Sequence, residues 1–172
     1  MIAYLRSSLT NARLVSAFVV FISAFSLVSA LIAEHVFGLQ PCILCLYQRV
    51  PFAINIVLGL AAFGCLLLPR PAIARAFLLL CGLSFTACAV IAFYHTGVEQ
   101  HWWASFLEAC TVSFDNLDPE TLLAKIESTQ AVRCDEIPWQ DPIIGLSMAN
   151  YNIALSAVCA AICYYCVFKK TQ

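Results

Sequence analysis

Two cysteines separated by two residues are the most reactive feature of the chain. Cys42 and Cys45 stand in the string Pro-Cys-Ile-Leu-Cys, and residues three apart share one side of a helical turn. Their sulfurs can therefore meet, and the free N–H groups and partial positive charge of a helix N-terminus favour a thiolate. The spacing predicts a redox-active pair; a purely structural disulfide is the alternative.

Arg49 follows Cys45 by four residues, one helical turn further along the same face. An arginine near the lipid boundary is costly and usually marks function. We expect its charge to lower the pKa of Cys45 and to stabilise a bound anion. The alternative is a snorkelling anchor, whose guanidinium reaches the interface and does no chemistry.

Membrane helices are the elements that must position this pair. Of the 172 residues, 62% are hydrophobic and 11% charged, against about 25% charged in soluble domains. This composition excludes a disordered chain and most soluble enzymes, and a net charge of -1 excludes a nucleic-acid binder that works by bulk charge. We predict an all-α membrane protein, a four-transmembrane-helix bundle that forms one domain over residues 1–172. The spans, each near the about 20 residues that cross a bilayer, are predicted at 14–33, 45–68, 74–95 and 143–168.

Charged residues divide between the two sides of this bundle. All ten acidic residues fall on the side of the 34–42 segment and of a long loop over about 96–141. The other side carries basic residues without any acid: Arg6, Arg13, Arg70, Arg75, Lys169 and Lys170. The positive-inside rule therefore predicts cytoplasmic termini and an outer loop.

The outer loop carries two amphipathic features. An aromatic patch of His101, Trp102, Trp103 and Phe106 is predicted to lie along the lipid surface. A short amphipathic helix is predicted to begin at Asp118, with Pro119 in its first position.

The topology sorts the ten cysteines into two groups. Four lie at the outer face, where an oxidising compartment favours disulfides, and they allow three pairings: Cys42, Cys45, Cys110 and Cys134. The other six lie within spans, where free cysteine packs as a small hydrophobe: Cys65, Cys81, Cys88, Cys159, Cys163 and Cys166. The CxxC spacing of the last two leaves redox or metal use open, on the reducing side.

The string Gln40 to Arg49, QPCILCLYQR, resembles the signature of the disulfide-bond formation protein B (DsbB) family. The resemblance extends to four spans, a CxxC that opens the second, and an outer loop with a widely spaced cysteine pair. It implies a protein-disulfide:quinone oxidoreductase of the bacterial inner membrane. Such an enzyme reoxidises a DsbA-like periplasmic thiol oxidant and passes the electrons to the membrane quinone pool, here ubiquinone in preference to menaquinone.

The resemblance also implies roles for individual residues. Cys42–Cys45 and Cys110–Cys134 are expected to be the two disulfides, and all four cysteines are expected to be catalytic. The partner exchanges with the loop pair through Cys110, Cys134 attacks Cys42, and Cys45 donates to the quinone. Arg49, Cys45 and His95 are expected to bind the quinone; no metal is expected.

Three alternatives remain open. The first is a membrane protein with two structural disulfides and no turnover. The second is a zinc site built from Cys42 and Cys45 with His35 or His95. The third is an enzyme like the vitamin-K-epoxide reductases, which also couple a CxxC to a quinone but carry it late in the chain.

Overall fold

Four long helices make up the bundle in the computed structural model, which describes residues 2–68, 70–107 and 133–169. They are α1 (Ile2–His35), α2 (Ile43–Leu67), α3 (Pro71–Glu99) and α4 (Met148–Phe168). Each is long and apolar enough to span a membrane. The described residues form no strand beyond an isolated bridge between Gln140 and Ser147. The prediction of an all-α, four-helix membrane bundle is confirmed.

The helix ends differ from the predicted spans at two places that matter for the site. Helix α3 continues past residue 95 to Glu99, so its last turn is buried in the bundle. Helix α4 begins only at Met148, because Asp141 Oδ1 accepts the N–H groups of Ile143 and Ile144 and Gly145 takes a φ of 66°. This turn places Ser147 beside the end of α3.

Small residues let the helices approach one another closely. Gly59 of α2 lies against Val19 and Val20 of α1, and Gly82 of α3 lies against the Tyr164 ring of α4. Such small-residue contacts are the usual means of packing helices in lipid, where the hydrophobic effect does not drive helix association. Helix α3 thus packs between α2 and α4, while α1 packs mainly on α2.

Cysteines within the spans form much of the bundle core. Cys81, Cys88, Cys159 and Cys163 are buried together with Phe52 and Phe85. All of these cysteines are free, as are Cys65 and Cys166. They fill space between helices as small apolar side chains.

Aromatic rings of the outer loop cover the end of α3. Trp103 stacks on Tyr94 with centroids 6.1 Å apart and donates from Nε1 to the Tyr94 carbonyl at 3.2 Å. Phe106 packs on the same tyrosine, and its N–H donates to the Tyr94 hydroxyl. The predicted aromatic patch is therefore one cluster attached to α3. The helix predicted from Asp118 lies outside the described residues.

Gly97 is the position on which this cluster depends. A Cβ there would overlap Cζ2 of Trp103, so the ring would have to move. We expect Gly97→Ala to destabilise the protein by roughly 1–3 kcal/mol, as overpacking does, and to shift the tryptophan emission. Thermal unfolding in detergent, followed by fluorescence, measures both effects.

Gly64→Ala is the matched control, because no atom lies within 4 Å of its Cβ position. It should melt close to the unaltered protein. Equal melting of the two variants would show that Trp103 does not pack as described.

Candidate functional site

The CxxC pair lies at the N-terminus of α2, at the outer end of the bundle. Cys42 is the N-cap residue, and its sulfur accepts the backbone N–H of Cys45 at 3.3 Å. The two sulfurs are 3.1 Å apart, and both cysteines are free thiols. Cys42 is buried, whereas Cys45 is partly exposed. The predicted meeting of the sulfurs is thus observed for the dithiol, and the Cys42–Cys45 disulfide stays a prediction for the oxidised form.

His95 of α3 faces the Cys42 sulfur from the neighbouring helix. Its Nε2 lies 3.5 Å from Cys42 Sγ, and its side chain is 4% exposed. On the other side of the ring, Gln48 Nε2 lies 2.9 Å from Nδ1, and Asn152 Nδ2 donates to Gln48 Oε1 at 2.6 Å. Because the Gln48 amide nitrogen is a donor, Nδ1 of His95 must accept. In the neutral ring the proton therefore sits on Nε2, facing Cys42.

A buried carboxylate completes the site. Glu99, one turn after His95, is 3% exposed, and its Oε1 lies 3.6 Å from His95 Nε2. Its Oε2 accepts the hydroxyl of Ser147 at 2.6 Å, and the same Ser147 oxygen caps α4 by accepting the N–H of Asn150. The site thus joins α2, α3 and α4.

Cys134 of the outer loop belongs to the buried cluster that surrounds Cys42. It is disulfide-bonded and fully buried, in one cluster with Cys42, Leu44 and Val98. The eight other described cysteines are free; Cys110 lies outside the described residues, and its pairing with Cys134 stays a prediction. Beside Cys134, Arg133 forms a two-bond ion pair with Asp135, which lowers the pKa of that carboxyl. The structure therefore places a disulfide-bonded loop cysteine in the same buried cluster as Cys42.

Arg49 forms an ion pair that the sequence does not predict, and its role at the quinone stays a prediction. Its Nη1 donates to Glu34 Oε2 of α1 at 2.6 Å, with both side chains about one-quarter exposed. A hydrogen bond from a guanidinium to a carboxylate is stronger than one to a neutral acceptor. Arg49 therefore joins α2 to α1 at the outer face. His35 and His101 are exposed, and His35 Nδ1 contacts the Leu31 carbonyl within α1.

The contacts that stabilise a thiolate are made with Cys42. From the sequence we expected them at Cys45. The adjacent Cys45 thiol contributes most, and His95 adds to it, so that the pKa of Cys42 falls to about 4 despite burial. The physical reason is position: Cys42 is the N-cap, so its sulfur alone receives the helix N–H and faces the imidazole.

Sulfur and nitrogen ligands stand close enough here to surround a metal ion. The sulfurs of Cys42 and Cys45 and one ring nitrogen of His95 lie within 4.8 Å of one another. A metal ligand needs an unprotonated nitrogen. In the tautomer that the Gln48 amide favours, the nitrogen facing the sulfurs carries the ring proton. The zinc site stays an alternative that a metal assay on the purified protein decides.

Residues that fit a quinone ring lie on the lipid side. Cys45 is the more accessible sulfur, and Leu46 and Val50 are exposed where the bilayer would be. Arg49 stands on the same helix with partial exposure. An apolar ring with polar oxygens suits such a boundary between lipid and charge.

Four residues of the site were not singled out in the sequence: Gln48, Glu99, Ser147 and Asn152. A usable signal existed for three of them, since Gln48, Ser147 and Asn152 are polar residues within predicted spans. Glu99 gave no such signal, because it falls in the predicted outer loop, where an acid is ordinary.

Comparison with known proteins gives a consistent result. The family model described as "Disulfide bond formation protein DsbB" matches residues 12–166. "Disulfide bond formation protein B" of Acinetobacter baumannii is 29% identical over 164 residues, 91% of each chain. The protein of the same name from Pasteurella multocida is 31% identical over 153 residues, 82% of this chain and 78% of its own. No solved structure shows a significant match. Because the family model covers most of the chain, including the CxxC pair, the loop cysteines and all four spans, the chain belongs to the DsbB family of disulfide bond formation proteins.

Proposed function

We propose that this membrane protein is a thiol:quinone oxidoreductase that reoxidises a DsbA-like periplasmic oxidant. The observation that carries the proposal is that disulfide-bonded Cys134 and Cys42 lie in one buried cluster. A protein with two structural disulfides has no need to bring the pairs together. Thiol exchange requires such an approach, together with an attacking thiolate and a good leaving thiol.

The first exchange takes place at the loop. A thiolate of the reduced partner attacks Cys110 of the Cys110–Cys134 disulfide, and the sulfur of Cys134 leaves. The second partner thiol then attacks its own mixed disulfide, so the partner departs oxidised and the loop holds two thiols.

The second exchange moves the electrons to the membrane face. Cys134 attacks Cys42 of the Cys42–Cys45 disulfide and Cys45 leaves; Cys110 then re-forms the loop disulfide and leaves Cys42 and Cys45 reduced. The low pKa of Cys42 makes it a good leaving group in that last step.

The dithiol is finally reoxidised, with a membrane quinone as the acceptor of two electrons and two protons; we propose ubiquinone. A DsbA-type oxidant lies at about −120 mV, so ordinary disulfides cannot reoxidise it downhill without a stronger acceptor. Partly exposed Cys45 is the sulfur that approaches the acceptor, with Arg49 beside the ring and His95 behind the pair.

Orientation follows from charge. Arg13, Arg70 and Lys169 lie at the end of the bundle opposite the CxxC pair, while Glu34, Glu99 and Asp141 lie near it. We propose that the protein lies in the bacterial inner membrane with cytoplasmic termini and the site on the periplasmic side.

Alkylation of Cys42 tests its stabilisation. Because its pKa is lowered to about 4, the thiolate persists as the pH falls and is lost only near that value. The rate of alkylation at Cys42, located by mass spectrometry in the reduced protein, should therefore stay flat from pH 7 to about pH 5. Cys45→Ala removes the main stabilising contact and should move the midpoint upward, towards the ordinary 9.0. Cys65→Ala, far from the site, should leave the profile unchanged; a shared midpoint in all three proteins would refute the assignment.

Trapping tests the order of exchange. In Cys134→Ala, Cys110 is left without its neighbour and should form a mixed disulfide with the oxidised partner that accumulates above the level in unaltered protein. Non-reducing electrophoresis and peptide mapping identify the linked cysteines. An adduct through Cys42 would contradict the proposed order.

Quinone dependence tests Arg49. Arg49→Met should raise the KM for quinone roughly tenfold, equivalent to about 1.4 kcal/mol of binding, and leave the first exchange with the partner near normal. Arg49→Lys keeps the positive charge but lacks the planar guanidinium. Its quinone KM should lie between those of Arg49→Met and the unaltered protein. Steady-state quinone reduction and a stopped assay of loop exchange separate these steps.

Glu34→Gln is the matched control for Arg49, since it breaks the ion pair but keeps the guanidinium. If it raised the quinone KM as much as Arg49→Met, Arg49 would act only as a link between α1 and α2.

A further inference from the structure

Glu99 is a buried acid that the exchange steps do not use. It lies in the last turn of α3, 3% exposed, with Ser147 on one oxygen and His95 on the other. A buried carboxylate without a full counter-charge is costly, so an acid in such a place commonly gains a proton instead. No arginine or lysine is paired with it among residues 12–68, 70–107 and 133–169.

One N–H stands between Glu99 and Cys42. The Nε2 of His95 lies 3.5 Å from Cys42 Sγ and 3.6 Å from Glu99 Oε1. The Gln48 amide donates to Nδ1, so the ring presents a single N–H, on Nε2, to both acids. A thiolate on Cys42 and a carboxylate on Glu99 would then share this one N–H donor and repel each other.

We propose that Glu99 is a proton-holding residue: the proton that Cys42 gives up in the reduced protein resides on the Glu99 carboxyl and leaves it when the pair is oxidised. The proposal rests on the proposed function for its role in turnover. Whether the Glu99 carboxyl holds a proton in the reduced protein depends on neither the quinone nor the partner.

The step balances as written. The reduced site holds a Cys42 thiolate, a Cys45 thiol and a protonated Glu99. Oxidation forms the Cys42–Cys45 bond, sends two electrons to the quinone, and sends the Cys45 and Glu99 protons to its two oxygens. Glu99 is left as a carboxylate, and the charge of the site is −1 before and after.

Other groups face this acid from each neighbouring element. His95 lies on α3, Cys42 and Cys45 lie on α2, and Ser147 precedes α4; the backbone of Cys134 contacts His95 from the loop. Only the two cysteines and the histidine titrate, and they form one coupled set with Glu99. Proton counting on the whole set is therefore the appropriate measurement.

Infrared difference spectroscopy tests the proposal on the purified full-length protein. Spectra of the dithiothreitol-reduced and chemically oxidised forms are subtracted at neutral pH. The reduced form should show the C=O stretch of a protonated carboxylic acid, absent from the oxidised form. The band should be lost in Glu99→Gln, kept in Glu99→Asp, and unchanged in the control Glu136→Gln, an exposed acid of the loop.

A second readout is the number of protons taken up with each electron pair. The pH dependence of the midpoint potential of Cys42–Cys45, titrated against dithiothreitol, should give two protons in the unaltered protein and one in Glu99→Gln. A missing band, or an equal proton count in both proteins, would overturn the proposal. If quinone reduction fails while the band is present, the proposed function falls and the proton on Glu99 stands.

Ser147→Ala keeps the test decisive if Glu99→Gln fails to fold. It removes the hydroxyl that donates to Oε2, so the carboxyl band should remain and shift to higher frequency. A band that does not respond to Ser147 would belong to another acid and would contradict the assignment.

Discussion

The sulfur of Cys42 closes the N-terminus of α2 by accepting the N–H of Cys45, and the outer end of the bundle is arranged around this contact. A cap residue usually offers an oxygen; here a thiol takes that place and gains the field of the helix terminus. Burial would by itself oppose a thiolate. The neighbouring thiol and the imidazole outweigh it, so the position that ends the helix is also the position with the most acidic sulfur.

Holding His95 in one orientation requires the rest of the bundle. Asn152 of α4 orients Gln48 of α2, and Gln48 fixes which ring nitrogen faces the sulfur. Ser156 donates to Asn152 from one turn further along α4. In a low-dielectric interior each of these bonds is strong and each missing partner is costly. Helix packing and thiol chemistry are therefore linked, because the hydrogen bonds that orient His95 run from α4 through α2.

The sequence predicted much of this arrangement, for reasons that can be stated. Long apolar stretches define spans by length alone, and the i, i+3 spacing of Cys42 and Cys45 fixes their shared face. The contact between Arg49 and Glu34 was not predictable, since it depends on how α1 packs on α2. The burial of Glu99 was not predictable either, because polar residues at the end of a helix do not indicate how deeply the last turn is buried. Neither periodicity nor composition encodes which of two adjacent cysteines receives the helix N–H.

Quinone consumption in proteoliposomes tests the central claim most directly. Purified protein, ubiquinone and a reduced DsbA-like partner are combined, and quinone absorbance and partner thiols are followed together. We expect one quinone reduced for each partner molecule oxidised, and loss of quinone reduction in Cys45→Ala with Cys65→Ala unaffected. Partner oxidation without quinone consumption, or quinone consumption that survives Cys45→Ala, would contradict the account.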